Sequence, residues 1–360
     1  MTRPGRTTRL AAAAVAAATL AACGQQAAAP PAGAATPTAA TECPAAPMPA
    51  LPAGANAGGP PAIATATSVG PVDTAGSEVL TELNGPQIQC GRAPVTTRSG
   101  IVFSTPTGAD GKPRPLSLDL ISPADGRPHP LVVYVTGGGF ASAVRTNGLP
   151  LRTYLAEAGF TVASIEYRTQ PEGATFVDGV ADVKSAVRFL RAEAKEFGIV
   201  PDKVALWGES AGGYLVAMAG TTAGDDVQAV VDKFGASDVS RIGEGFDAAM
   251  QAAYADPHGV IAQYTKSPDP KDANPAALAA AGDPPFLLQH GTADTIISPV
   301  QTLILHNALK AAGVDSTRWL LQGAGHGDLA FLGDPAAGLP WSTALVMDRT
   351  VEWLRGHIAS

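Results

Sequence analysis

The sequence predicts an α/β fold built on a doubly wound, mostly parallel sheet, and three observations predict it. From residue 116 onward, short apolar strand-like runs alternate with helical segments, the pattern of strands joined by crossover helices. Leu131–Val135 is a continuous apolar run, as expected of a strand buried on both faces. Val204–Trp207 leads through a tight Gly-rich turn into the apolar stretch Tyr214–Ala219, so strand, turn and helix follow one another directly.

The N-terminus reads as an address. Arg3, Arg6 and Arg9 precede the mostly alanine segment Leu10–Leu20, which is too short to span a bilayer well and fits an export signal. It ends in Leu20-Ala-Ala-Cys23, which resembles a bacterial lipobox, so residues 1–23 are expected to be a lipoprotein signal with Cys23 as the lipidation site. Residues 24–90 are rich in Ala and Pro and are expected to form a mostly disordered tether, because few large apolar residues are present to offset the entropy of ordering. On this reading the chain is exported and lipid-anchored to the bacterial cell envelope, touching the membrane through the anchor only. With Cys23 acylated, Cys43 and Cys90 remain as an even pair in an oxidising compartment, which predicts a disulfide between them.

Residues 91–360 are left for one domain. Ile101–Ser104 and the alternating Leu116–Ile121 read as an antiparallel start, followed by the Asp125-Gly126 turn. Leu131–Val135 runs into Thr136-Gly-Gly-Gly139-Phe140, and Thr161–Ile165 is the next strand. Phe176–Phe197 has helical spacing, with Val180, Val183, Val187 and Leu190 on one face and Gly198 as its stop. Strands follow at Ala229–Phe234, Pro285–Gln289 and Thr317–Leu321, a helix at Val300–Ala312 and a closing helix at Ala344–His357. Residues 238–283 separate two strands by more than a simple connection needs, which suits either a cap over a site or a surface excursion.

The net charge of −8 and the lack of a basic run beyond the extreme N-terminus exclude nucleic acid as a partner. The chemistry concentrates at Gly208-Glu-Ser210-Ala-Gly212, a G-x-S-x-G turn between strand and helix. Such a turn forces its serine into a strained backbone and lifts the hydroxyl clear of the sheet, while a Cβ at Gly208 or Gly212 would collide with the neighbouring turn. Ser210 needs a base, and the base needs an orienting acid. Among six histidines only His326 closely follows the last strand, flanked by the small residues Gly325 and Gly327. His290 reads as structural, His306 and His357 as helix residues, and His129 and His258 as solvated loop residues. Asp294 lies just past the strand ending at Gln289; Asp283 lies at that strand's other end, and Asp315 and Asp328 do not follow it. Donors for a developing oxyanion are expected from the backbone N–H groups of the Gly loop after Val135 and from Ala211. Gly137-Gly138-Gly139 lacks both the G-x-G-x-x-G spacing and a P-loop lysine, which argues against a nucleotide. Phe140, Tyr214 and Phe331 are candidates either for an acyl pocket or for the core.

Taken in order, Gly137-Gly138-Gly139, Gly208-Glu-Ser-Ala-Gly-Gly213, His290-Gly-Thr-Ala-Asp294 and Gly325-His326-Gly327 resemble the α/β-hydrolase superfamily. Within it the chain resembles the hormone-sensitive-lipase-like and bacterial acetyl- or feruloyl-esterase-like serine esterases. Tyr167-Arg168, Asp182, Ala186–Leu190 and Pro284–His290 carry the same resemblance. It implies carboxylester hydrolysis through an acyl-serine, with Ser210, Asp294 and His326 as the triad, oxyanion donors at Gly138, Gly139 and Ala211, and neither metal nor cofactor. Short acyl esters, acetyl groups on carbohydrate among them, are the implied substrates. A peptidase of the same superfamily and a non-catalytic envelope binding protein are the alternatives. One departure stands out: Thr136 occupies the position before the three glycines where these esterases usually carry His.

Overall fold

A computed structural model describes residues 41–43, 65–222, 224–327 and 339–359. The predicted signal with Cys23, much of the predicted tether and Phe331 lie outside the described residues.

Eleven strands are seen among the described residues. They are β1 (Thr41–Glu42), β2 (Glu78–Leu80), β3 (Gln89–Cys90), β4 (Val95–Ser104), β5 (Leu116–Pro123), β6 (His129–Val135), β7 (Thr161–Ile165), β8 (Ile199–Glu209), β9 (Ala229–Lys233), β10 (Phe286–Gly291) and β11 (Ser316–Leu321). Nine form one sheet in the order β2-β11-β10-β9-β8-β6-β7-β5-β4, and β1 pairs with β3. β4 and β5 are antiparallel to each other, β5 is antiparallel to β7, and the other neighbours are parallel.

Side-chain alternation divides the core into two layers. In β6, Leu131, Val133 and Val135 point to one face, and Val132 and Tyr134 to the other. The first face is covered by α2 (Phe176–Ala192), α4 (Ala211–Gly220) and α8 (Val300–Ala311), through residues such as Val183, Leu215 and Leu305. The second is covered by α1 (Leu149–Glu157) and α9 (Ala344–Leu354), through Leu155, Val346 and Val351. Burial on both faces is why the central strands are mostly apolar.

Four features differ from the sequence reading. The single helix expected over 176–197 is α2 followed by the short α3 (Ala194–Phe197), broken at Glu193. The helix α1 carries no clean apolar stripe, because Arg152 is buried in it and donates to the carbonyls of Asn147 and Thr146. His129, expected in solvent, opens β6 and is buried between the Asp125 carboxylate and the Gly159 carbonyl. The domain also begins before residue 91. Leu80, Leu83 and Ile88 are buried, β2 extends the sheet beside β11, and Arg318 reaches the Asp73 carbonyl and the Ser77 hydroxyl. Buried apolar side chains, strand pairing and the Arg318 hydrogen bonds together anchor a segment whose average composition reads as linker. Cys43 and Cys90 form a disulfide that joins β1 to β3.

Candidate active site

Three strand ends meet here. Val135 lies opposite Gly208 in the β6–β8 pair, and Glu209 lies opposite Lys233 in the β8–β9 pair. The loop after β6, the turn after β8 and the residues after β9 therefore share one edge of the sheet.

Ser210 sits between β8 and α4 with φ 54° and ψ −118°, a conformation that a non-glycine residue adopts only when its surroundings enforce it. The enforcement is steric and hydrogen-bonded. A Cβ on Gly208 would overlap the Gly212 carbonyl, and one on Gly212 would overlap the Val135 carbonyl. The Ser210 N–H donates to the Lys233 carbonyl at 2.9 Å.

Asp294, just past β10, is fully buried. Its Oδ1 accepts the N–H groups of Ile296 at 2.8 Å and Ile297 at 2.9 Å. Its Oδ2 lies 2.7 Å from His326 Nδ1 and 3.2 Å from His290 Nε2. Burial alone would raise this carboxyl, but the His326 charge and the bonds to His290 and His326 prevail and hold it well below the usual carboxylate range. An ionised Asp294 fixes the proton of the neutral imidazole on Nδ1, which leaves Nε2 as an acceptor. That Nε2 lies 2.8 Å from Ser210 Oγ. The imidazole packs on Phe234, 4.5 Å between ring centres, and Phe234 in turn meets Trp341 edge-on.

Ser210, Asp294 and His326, far apart in the sequence, are brought together here. His290, expected to be structural, also touches the acid. The i, i+4 spacing from His290 to Asp294 was the signal available. Phe140, which ends the Gly loop, and Tyr214 are core residues: Phe140 stacks on Tyr264, and the Tyr214 hydroxyl donates to the Ala273 carbonyl.

The Gly loop lies against the serine. A Cβ on Gly137 would stand 3.1 Å from the Glu209 carbonyl oxygen and 3.2 Å from Ser210 Cβ. Gly138 and Gly139 have φ of 147° and 59°, which favours glycine at both. Among the described residues, the N–H groups of Gly138, Gly139 and Ala211 find no acceptor. Thr136 is buried; its hydroxyl donates to the Gly137 carbonyl and accepts from Asn147, while Tyr167 donates to its carbonyl. Residues 238–283 carry α5 (Ala248–Tyr254), α6 (Val260–Tyr264) and α7 (Pro275–Leu278). Tyr264 holds Phe140 of the Gly loop, and the Tyr254 hydroxyl donates to the Ile296 carbonyl beside Asp294, so this insertion flanks the site. Among the described residues no group of three or more His, Cys, Asp or Glu side chains is placed to hold a metal ion.

Asp232 lies under the serine turn. One oxygen accepts the Gly235 N–H at 2.9 Å, the other has no partner among the described residues, and burial raises the carboxyl to about 7. The native state therefore keeps a proton that the unfolded chain has released, and stability falls as pH rises from about 4 to about 7, by up to about 1.4 kcal/mol per pH unit. Asp232→Asn is expected to remove this slope. Denaturant titrations of both chains at pH 5 and pH 7.5 measure it, and parallel pH dependences would contradict the assignment.

The sheet, its crossovers and the serine turn at the strand ends define an α/β-hydrolase fold with a linked serine, histidine and aspartate. The chain belongs to the BD-FAE family, whose model matches residues 118–309, more than half of it. It is 32% identical over 220 residues to the esterase LipC of Mycobacterium tuberculosis, covering 56% of this chain and 53% of that protein. It is 29% identical over 247 residues to a probable isoprenylcysteine α-carbonyl methylesterase of Oryza sativa subsp. japonica, covering 61% of this chain and 57% of that one. The chain thus matches about half the length of these curated relatives. Among solved structures, a truncated carbohydrate esterase from gut microbiota shares the fold with a TM-score of 0.60 at 21% identity, over 77% of this chain and 100% of that one. A thermophilic esterase of Thermogutta terrifontis superposes with a TM-score of 0.56 at 25% identity, over 76% of this chain and 93% of that one.

Proposed function

We propose that this protein is a serine carboxylesterase acting on short-chain acyl esters, acetyl esters among them, through an acyl-enzyme. The observation that carries this reading is the unbroken hydrogen-bond chain from Ser210 through His326 to Asp294, with the serine held at φ 54°. As Ser210 Oγ attacks the ester carbonyl, its proton passes to His326 Nε2, and Asp294 stabilises the resulting imidazolium. The carbonyl oxygen becomes an oxyanion, for which the N–H groups of Gly138, Gly139 and Ala211 are the proposed donors. Collapse breaks the bond to the alcohol, which takes the proton from His326. Water then repeats the sequence on the acyl-serine and releases the acid. Thr136 takes the place of the usual histidine by tying the Gly loop to Asn147 with its hydroxyl.

The esterase names of the relatives support this reading, as do Thermogutta terrifontis esterase 2 structures described as phosphorylated by paraoxon and phosphonylated by sarin. Hydrolysis of p-nitrophenyl acetate and butyrate, set beside amide analogues, tests it. Preference for the amides favours the peptidase, and a folded chain inert to esters, amides and fluorophosphonate is a binding protein.

We further propose that the protein is exported and held to the envelope by lipid on Cys23. Metabolic labelling with an alkyne fatty acid is expected to tag the native protein and not Cys23→Ala; equal labelling of both would refute the anchor.

A further inference from the structure

β9 is apolar except at Asp232 and Lys233, and Lys233 lies buried beside the candidate site. Its Nζ is 2.7 Å from Glu209 Oε1, and Glu209 immediately precedes Ser210. Three rings surround the ammonium: Trp341 at 5.1 Å, Trp207 at 5.5 Å and Phe234 at 5.6 Å from Nζ to the ring centre, all within cation–π range. Each ring also bears on the site. Trp207 belongs to the strand that carries the serine turn, and Phe234 packs on the His326 imidazole. Trp341 donates from its indole N–H to the carbonyl of Gly325, next to His326. Lys233 itself accepts the Ser210 N–H on its carbonyl.

A buried ion pair is a weak source of stability, because desolvation offsets much of its attraction and apolar replacements often fold as well. What this pair does supply is a fixed junction between the serine turn and the rings that hold the histidine loop, with two opposite charges beside those rings. Resting on the esterase reading above, we propose that Glu209 and Lys233 are positioning residues: the pair sets the spacing of Ser210 and His326, and the balance of its charges sets the pH at which His326 is free to take the serine proton.

Other charged and titratable groups face this junction among the described residues. Tyr134 and Arg152 lie on the Glu209 side, with the Arg152 guanidinium over the Tyr134 ring. Asp232 is the neighbour of Lys233 on β9 and contacts Gly235. Asp294 and His290 stand on the other side of the imidazole. Glu209 acts on Tyr134 and Arg152 as well, and none of these residues is itself replaced in the variants, so opposite changes in the charge of the pair are expected to act in opposite directions.

The test is the pH dependence of kcat/KM on p-nitrophenyl acetate for the native chain, Lys233→Met, Glu209→Gln and the double variant. Lys233→Met leaves the carboxylate uncompensated, favours the imidazolium and moves the acidic limb up. Glu209→Gln leaves the ammonium and moves the limb down. Each shift is expected to be about half a unit to one unit, the size of effect one nearby charge exerts in a medium between protein and water. The double variant is expected to return the limb to the native position with kcat lowered and KM within about twofold of native. Singles that leave the limb in place, or move it the same way, overturn the proposal while the native chain remains an esterase. If Lys233→Met does not fold, the downward shift in Glu209→Gln decides alone. A native chain that neither hydrolyses esters nor reacts with a fluorophosphonate overturns the esterase reading itself, and this assignment with it.

Discussion

Ser210→Ala is expected to lower kcat on p-nitrophenyl acetate by about 10⁵- to 10⁶-fold, with the far-ultraviolet circular dichroism and the unfolding midpoint close to native. The magnitude follows from how such sites work: removing the nucleophile costs about as much as removing the whole triad, because the three groups act as a unit. Little structure should be lost. Alanine lacks only the hydroxyl that bonds His326, and the turn is held by contacts that remain, namely the Ser210 N–H to the Lys233 carbonyl and the close approaches at Gly208 and Gly212. Alanine also relieves none of the positive φ, so no large gain in stability is expected. His326→Ala should match Ser210→Ala within about tenfold, and Ser210→Ala/His326→Ala should be no worse than either alone. Activity lost in independent steps by the two single variants would contradict the joint action of the residues.

Asp294→Asn is expected to lower kcat by about 10⁴-fold at pH 7, the loss seen when the acid of a serine protease triad becomes an amide. The cause is the tautomer. The carboxylate accepts from His326 Nδ1 and leaves Nε2 facing the serine. An amide at position 294 must still accept the Ile296 and Ile297 N–H groups with its oxygen, which turns its NH₂ toward His326 and His290. Both histidines would then meet a donor, and His326 would place its proton on Nε2, where it can no longer take one from Ser210. The carboxylate also carries charge-assisted bonds from both backbone N–H groups, so Asp294→Asn should lower stability by about 1–3 kcal/mol. Asp294 contributes stability that is present above the ordinary carboxylate range and lost as pH falls through its depressed value. The native chain and the Asp294→Asn variant should therefore converge in stability as pH falls below about 4. Steady-state kinetics and denaturant titrations on the same samples check both parts, and a loss of stability without a loss of kcat would place Asp294 outside the chemistry.

Much of this arrangement was legible in the sequence for a physical reason. Strands buried on both faces are mostly apolar, so Leu131–Val135 and Thr161–Ile165 announce themselves, and the second matches its strand residue for residue. The serine turn shows because only glycine fits at 208 and 212. The elements that escaped depend on partners distant in sequence. Arg152 hides α1, since its guanidinium is satisfied by carbonyls of the preceding loop and no periodic pattern reveals that. Residues 65–90 read as linker because alanine, proline and glycine outnumber the few side chains that anchor them, and the hydrogen-bond donor that fixes Asp73 and Ser77 is Arg318, far along the chain. Glu209 and Lys233 look like ordinary polar residues until strand pairing sets them side by side. The positions of 238–283 against Phe140 and Ile296 likewise follow from tertiary packing by Tyr264 and Tyr254.

Whether Ser210 is the nucleophile is decided by paraoxon treatment followed by peptide mass mapping. One diethylphosphoryl adduct is expected, on the peptide containing Ser210, formed with loss of esterase activity, far slower in His326→Ala and missing in Ser210→Ala. An unmodified Ser210 peptide alongside inhibited activity, or an adduct on another serine that tracks the inhibition, would contradict it.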